Sequence, residues 1–217
     1  MNSVYFATAI VCRAVFRLYF RWRVHNGERV PRTGSAILAS NHASFLDPPM
    51  VGSKLPRMIN YLARESLFSN PIVSWYIRQL NAVPVDRDGG GAKGLRNILQ
   101  RLLQGEAIVV FPEGTRTPDG NLQRAHSGIG LTILKSNAPV IPVRVFGTFE
   151  AFGRHLKIPR PLPVVVKFGM PIDFSDARAE AQTCSKQRLK ELYQEVADRI
   201  MAEIRRLEPC EDVDKFG

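Results

Sequence analysis

A histidine followed five positions later by a carboxylate can serve as a general base, and His42 with Asp47 make such a pair in the run Asn41-His42-Ala43-Ser44-Phe45-Leu46-Asp47. A carboxylate on one imidazole nitrogen fixes the tautomer and leaves the other nitrogen to take a proton. Further along, Phe111-Pro112-Glu113-Gly114-Thr115-Arg116 offers a Glu-Gly turn ending in a cation. Together the blocks read as a site that deprotonates an alcohol beside a bound anion. No serine or cysteine is placed as a covalent nucleophile, since Ser44 sits on a turn that needs its hydroxyl for structure.

The elements around these residues must hold them. Ser35 to Ser40 is a short apolar run suited to a buried strand. Asn41 and His42 leave its carboxyl end, where open α/β sheets gather ligands. Pro48 and Pro49 suit the first turn of a helix, which makes Asp47 an expected N-cap folded back near His42. Each piece has an ordinary reading: a cap, a satisfied histidine, a turn after a strand. Their joint occurrence in one order along one chain is what those readings leave unexplained.

The chain resembles the glycerolipid acyltransferases, specifically the lysophosphatidate (1-acylglycerol-3-phosphate) acyltransferases of bacterial type. Residues 41–47 match the Asn-His-x-Ser-x-x-Asp block of that family at every fixed position, and residues 111–116 match Phe-Pro-Glu-Gly-Thr-Arg throughout. A further family block is approached by Asn81-Ala82-Val83-Pro84-Val85-Asp86-Arg87, with Asn81 where the family generally has Gly. Asn also tolerates a positive φ, so the turn can survive. Val140-Ile141-Pro142-Val143 is similar to the family's apolar run closed by Pro. One departure is Ala125-His126-Ser127-Gly128, where many relatives place a Lys before the Gly. The resemblance implies an α/β fold with acyl transfer to the free hydroxyl of lysophosphatidate. It implies His42 and Asp47 as catalytic residues, with Arg87, Glu113, Gly114, Thr115 and Arg116 on the acceptor. The donor it implies is a thioester of acyl-carrier protein or coenzyme A, and it implies no metal or organic cofactor.

A chain of 217 residues suits one domain with a sizeable core. Its net charge of +10 points to an anionic partner. Cys12, Cys184 and Cys210 show neither metal-ligand spacing nor a disulfide framework. Val4 to Cys12 is uncharged, but Arg13, Arg17, Arg21 and Arg23 interrupt the next stretch, and the apolar run is far shorter than the roughly 20 residues of a bilayer span. Arg13, Arg17 and Arg21 form one basic stripe on a helix, with Phe6, Ile10, Phe16, Phe20 and Trp22 elsewhere around it. This suits a helix lying in an anionic membrane interface, or a core-packed helix with a solvated basic face. The expected division is an amphipathic interfacial helix at 1–24, an acyltransferase domain at 25–208 and a tail at 209–217. The expected location is the cytoplasmic face of the membrane, as a peripheral, monotopic protein.

Strand and helix patterns then alternate. Strands are expected at Ile59–Ala63, Ala82–Val85, Ala107–Phe111, Val140–Phe146 and Val164–Phe168. Helices are expected at Pro71–Leu80, Ala92–Gln104, Gly128–Ser136 and Ser185–Arg206. Such alternation predicts an α/β single domain with a mixed, largely parallel central sheet flanked by helices. Asp86-Arg87-Asp88-Gly89-Gly90-Gly91-Ala92-Lys93-Gly94 lacks the order of a phosphate loop and reads as a surface loop before a helix. Arg87 has a bland reading too, as a surface ion pair with a neighbouring Asp. Nothing in the chain matches a nucleic-acid-binding motif. A lipid or thioester hydrolase, or transfer to another lysolipid, would use the same His-Asp chemistry.

Overall fold

The computed structural model describes residues 2–85 and 92–209. After α1 (Ser3–Tyr19) the chain alternates: β1 (Arg23–His25), β2 (Ala36–Ser40), α2 (Asp47–Gly52), β3 (Ile59–Arg64), α3 (Pro71–Gln79), β4 (Ala82–Val85), α4 (Ala92–Leu103), β5 (Ala107–Val110), α5 (Gly128–Leu134), β6 (Val140–Phe146), α6 (Thr148–Phe152), β7 (Val165–Phe168), α7 (Ser175–Thr183) and α8 (Lys186–Arg206). Seven strands form one sheet in the order β1-β7-β6-β2-β5-β3-β4. All neighbours run parallel except β6 and β7. This is the mixed, largely parallel sheet that the alternation predicts.

Both faces are covered, so the central strands are buried end to end. Ala36 and Leu38 of β2 and Ala107 and Val109 of β5 point into a layer with Met50, Val51, Phe16, Phe20 and Trp22. Ile37, Ala39, Ile108 and Val110 alternate to the other face, against Ile98, Ile129, Ile133, Val196, Ile200 and Ile204. The second layer closes tightly at Gly130, where a Cβ would stand 2.0 Å from the Tyr193 carbonyl oxygen, so α5 can lie against α8 only with glycine there. Asn81, in the turn before β4, does adopt a positive φ of 59°.

Around α1, which ends at Tyr19, the large side chains part, with Phe20 and Trp22 lying just beyond the helix. Phe16, Phe20 and Trp22 enter the core at 8% exposure or less, and Ile10 stays outside. The reason is coverage. Helix α2 has six residues, about 9 Å of helix, and cannot shield its face of the sheet. Burying each large side chain there contributes roughly 1.5–3 kcal/mol. The side of α1 turned away from the protein is aliphatic, with Ile10, Val11, Val15 and Leu18 exposed. Helix α3 lies beside it through Asn2 Nδ2 donating to the Gln79 carbonyl at 2.6 Å and a Thr8–Tyr76 hydroxyl contact. That helix exposes Ile72 and Trp75. Among the described residues, no helix is long and apolar enough to cross a membrane.

Three elements, β1, α6 and α7, lie outside the expected ones. Strand β1 is Arg-Val-His at the sheet edge, held by its backbone pairing to β7 and without an apolar face to betray it. Helix α7 has no buried residue and little amphipathicity.

Candidate active site

His42 and Asp47 meet in the loop that leaves β2. His42 Nδ1 lies 2.9 Å from Asp47 Oδ2. The same oxygen accepts the backbone N–H groups of Ala43 at 2.6 Å and Ser44 at 2.7 Å. Asp47 is therefore not the expected N-cap. It is the first residue of α2, and its carboxylate turns back to the preceding loop instead of onto the helix's own N–H groups. The side chain is wholly buried, and Oδ1 has no hydrogen-bond partner among the described residues. Withdrawing a carboxylate from water costs several kcal/mol, so three donors on one oxygen are needed to offset it. With Nδ1 engaged, Nε2 is the nitrogen available to take a proton.

Other residues of the block fix this loop. Asn41 bonds both backbone groups of Val145, its Nδ2 donating to the carbonyl and its Oδ1 accepting the N–H at 2.7 Å. The asparagine thus extends the β2–β6 pairing after the strand has ended. The Ser44 hydroxyl donates to the Phe152 carbonyl at 2.7 Å and accepts from the Leu46 N–H. It is a structural hydroxyl, as its place on the turn implies. The His42 ring stacks on Phe111, with centroids 4.0 Å apart and planes 18° from parallel.

The second block arrives alongside because β5 pairs directly with β2. Glu113 is 2% exposed and bridges two backbones, Oε1 accepting the His42 N–H at 2.9 Å and Oε2 the Gln123 N–H at 3.0 Å. Burial pushes its carboxyl above the ordinary 4.5, against the opposing effect of the two N–H groups, and the Asp47 charge adds to the rise. A carboxyl raised in the folded state holds a proton that the unfolded chain has released. Its stabilising contribution is present below pH 4.5 and is lost as pH rises through the raised value. Glu113→Gln should flatten that stretch of the stability-versus-pH curve. The amide also turns a donor toward one backbone N–H, so a loss of about 1–3 kcal/mol is expected from urea midpoints near neutral pH. An unchanged midpoint and slope would remove Glu113 as the strut between the blocks.

The remaining predicted residues are distributed unevenly. Gly114 has φ +68°, and a Cβ there would stand 2.8 Å from His126 Cδ2. It lets the His126 ring lie over the turn. Thr115 is exposed. The Arg116 guanidinium lies 3.5 Å over the Phe45 ring, on the loop that carries His42, and its carbonyl accepts from Arg154. Arg87 lies outside the described residues, as does most of the glycine-rich loop.

A cavity of about 490 Å³ opens at His42. Gly114 and His126 also reach it, while Leu62, Leu95, Ile98 and Ile129 give it an apolar wall. Periodicity places Leu95 and Ile98 on a helix's inner face but carries no sign that this face borders a cavity. In the sequence His126 stands out only as a departure from the family pattern. Among the described residues, no three His, Cys, Asp or Glu side chains gather to hold a metal ion.

Comparison with known proteins bears on this geometry. Residues 21–146 match the family described as Acyltransferase. The chain is 29% identical over 181 residues to a 1-acyl-sn-glycerol-3-phosphate acyltransferase of Bacillus subtilis, covering 82% of this chain and 85% of that protein. It is 30% identical over 202 residues to an N-acylphosphatidylethanolamine synthase of Arabidopsis thaliana, covering 80% of this chain and 70% of that one. The chain spans less of some other plant relatives, down to 37%. The crystal structure of the 1-acyl-sn-glycerophosphate acyltransferase PlsC from Thermotoga maritima superposes with a TM-score of 0.70 and 27% identity, over 94% of this chain and 80% of that one.

Proposed function

The chain belongs to the acyltransferase family, and from that premise we propose that it acylates the free hydroxyl of 1-acylglycerol-3-phosphate, giving phosphatidate. The donor is a thioester of acyl-carrier protein or coenzyme A. The observation that carries this reading is the buried His42–Asp47 pair at the mouth of an apolar cavity. The names of the Bacillus subtilis relative and the Thermotoga maritima neighbour support the acceptor.

His42 Nε2 takes the hydroxyl proton as the acceptor oxygen attacks the thioester carbonyl, and Asp47 stabilises the imidazolium that results. The tetrahedral centre then collapses, the C–S bond breaks, and the proton passes from His42 to the leaving thiolate. Transfer is direct, in keeping with a Ser44 hydroxyl already committed to backbone partners. The apolar cavity takes the acyl chain. Arg116, with Arg87, holds the acceptor's phosphate in reach of His42. Thr115 and Gly114 shape the same pocket, and Glu113 keeps the two loops in register.

This chemistry takes place at an anionic membrane surface, on its cytoplasmic face, with the protein bound peripherally. Exposed Ile10, Val11, Val15 and Leu18 on α1, continued by Ile72 and Trp75 on α3, support that placement, as does the net charge.

The test is to supply lysophosphatidate and an acyl thioester and to separate the lipid products. Phosphatidate supports the reading, whereas free fatty acid would make the protein a hydrolase. The Arabidopsis thaliana relative is named for N-acylation of phosphatidylethanolamine, so that lipid belongs in the acceptor panel, and an N-acyl product would move the assignment. For Arg116→Ala, loss of one charge-assisted contact of about 1.5–3 kcal/mol should raise the acceptor KM by roughly 10- to 100-fold with kcat little changed. An unaltered KM would remove Arg116 from the acceptor's phosphate.

A further inference from the structure

A second cavity, of about 640 Å³, lies between α1, β1 and Lys54, two residues past the end of α2. It shares no lining residue with the cavity at His42. Its size falls within the range of small-molecule sites, roughly 300–1,000 Å³. Arg13 and Arg17, one helical turn apart, face Lys54 around it, and Trp22 and His25 line it as well. Arg21, Arg23 and Val24 complete the wall, and Arg21 also donates to the Pro161 carbonyl.

The walls are built in a particular way. Arg13 is pinned by its Nε, which donates to the Ser53 carbonyl at 2.5 Å, so its guanidinium is held in place before any ligand arrives. Trp22 is 92% buried, and its Nε1 is a buried donor with no hydrogen-bond partner among the described residues. His25 Nε2 is a second buried ring nitrogen without a partner among the described residues. Five cationic side chains around one concavity, with Arg13 among them fixed in advance, call for a ligand of several oxygens carrying negative charge, which is the chemistry of a phosphate. A solvated basic face would account for Arg13 and Arg17 on one helix, but not for Lys54 and a pinned Arg13 closing the same concavity.

We propose that this cavity is a phosphate-binding site, separate from the catalytic one, that receives the phosphate of an anionic glycerophospholipid. The choice of a lipid rests on the proposed membrane-surface placement. Val11, Val15 and Leu18 leave the same helix as Arg13 and Arg17, on its outward side. With that side among acyl chains, the two arginines stand at the depth where lipid phosphates lie. An acidic carrier protein would present carboxylates on a convex surface, which a concave site with directional N–H donors suits less well.

The chain has two tryptophans, Trp22 and Trp75, so Trp75→Phe leaves Trp22 as the reporter within the cavity. The full-length W75F protein is titrated with inorganic phosphate at constant ionic strength, and separately with phosphatidylcholine vesicles with and without phosphatidylglycerol. A saturable change in Trp22 emission is expected from phosphate and from the phosphatidylglycerol vesicles. Adding Arg17→Ser and Lys54→Ser should abolish the phosphate response and weaken partitioning onto those vesicles roughly 30-fold. No saturable response, or an equal one in the triple variant, overturns the site. A phosphate response with vesicle partitioning unchanged by the two substitutions makes the ligand a soluble phosphate and overturns the lipid assignment. Unchanged partitioning with a raised KM for the acyl-carrier thioester would assign the surface to the carrier instead. The same titration on His42→Ala reads the cavity without turnover, so failure of the acyl-transfer reading and failure of this one are seen separately.

Discussion

His42→Ala is expected to reduce phosphatidate formation by about 10²- to 10⁴-fold, the usual worth of a positioned general base, in a protein that remains folded. The fold should survive because the loop does not hang on the imidazole. Asp47 Oδ2 keeps the Ala43 and Ser44 N–H groups, and Glu113 holds the backbone N–H of residue 42 whatever its side chain. What is lost structurally is the stack on Phe111, worth about 0.5–1.5 kcal/mol, and one of the three donors to Asp47 Oδ2, worth about 1.5–3 kcal/mol. Initial rates at saturating lysophosphatidate, beside urea midpoints of the same preparations, separate the two effects. Turnover near the wild-type rate would sink the base assignment. A collapse of the midpoint would mean that the histidine is chiefly structural.

Asp47→Asn should cost on the order of 10²- to 10⁴-fold in kcat with little change in either KM. The neutral amide can still place its oxygen where Oδ2 receives three donors, so the loop has a way to persist. Its nitrogen then occupies the position of Oδ1, which is buried and without a partner among the described residues. The negative charge that would stabilise an imidazolium is gone in any case. Residues that act as one unit are strongly non-additive. The double variant His42→Ala, Asp47→Asn should therefore be about as slow as His42→Ala alone. If it were a further hundredfold slower, Asp47 would be acting through the loop and not through His42.

The pair was legible from sequence because it is local. A separation of five positions across a tight strand-to-helix connection leaves few ways for a carboxylate to reach an imidazole, and Pro48 and Pro49 mark where the helix begins. Even so, the cap expected of Asp47 was replaced by three donors from its own N-terminal side, since a helix that opens on Pro-Pro offers few N–H groups to cap. Glu113 shows the other limit. As a residue after a strand it reads as a pocket group, whereas its bonds to His42 and Gln123 arise from β5 lying next to β2.

By itself, the sequence determined the elements with strong periodicity, the turns whose chemistry is carried by adjacent residues, and an excess of positive charge. Tertiary structure alone decided which strands are neighbours. It also sent Phe16, Phe20 and Trp22 into the core while Val11, Val15 and Leu18 stayed outside, and made Leu95 and Ile98 the wall of a cavity. It brought Arg13, Arg17 and Lys54 around one cavity together with Trp22 and His25. The division has a physical cause. Backbone preference and short-range hydrogen bonding act over a few residues and are written in spacing. Burial is settled only when every element competes to cover the same sheet, so apolar side chains of equal hydrophobicity meet different fates according to which face is left uncovered.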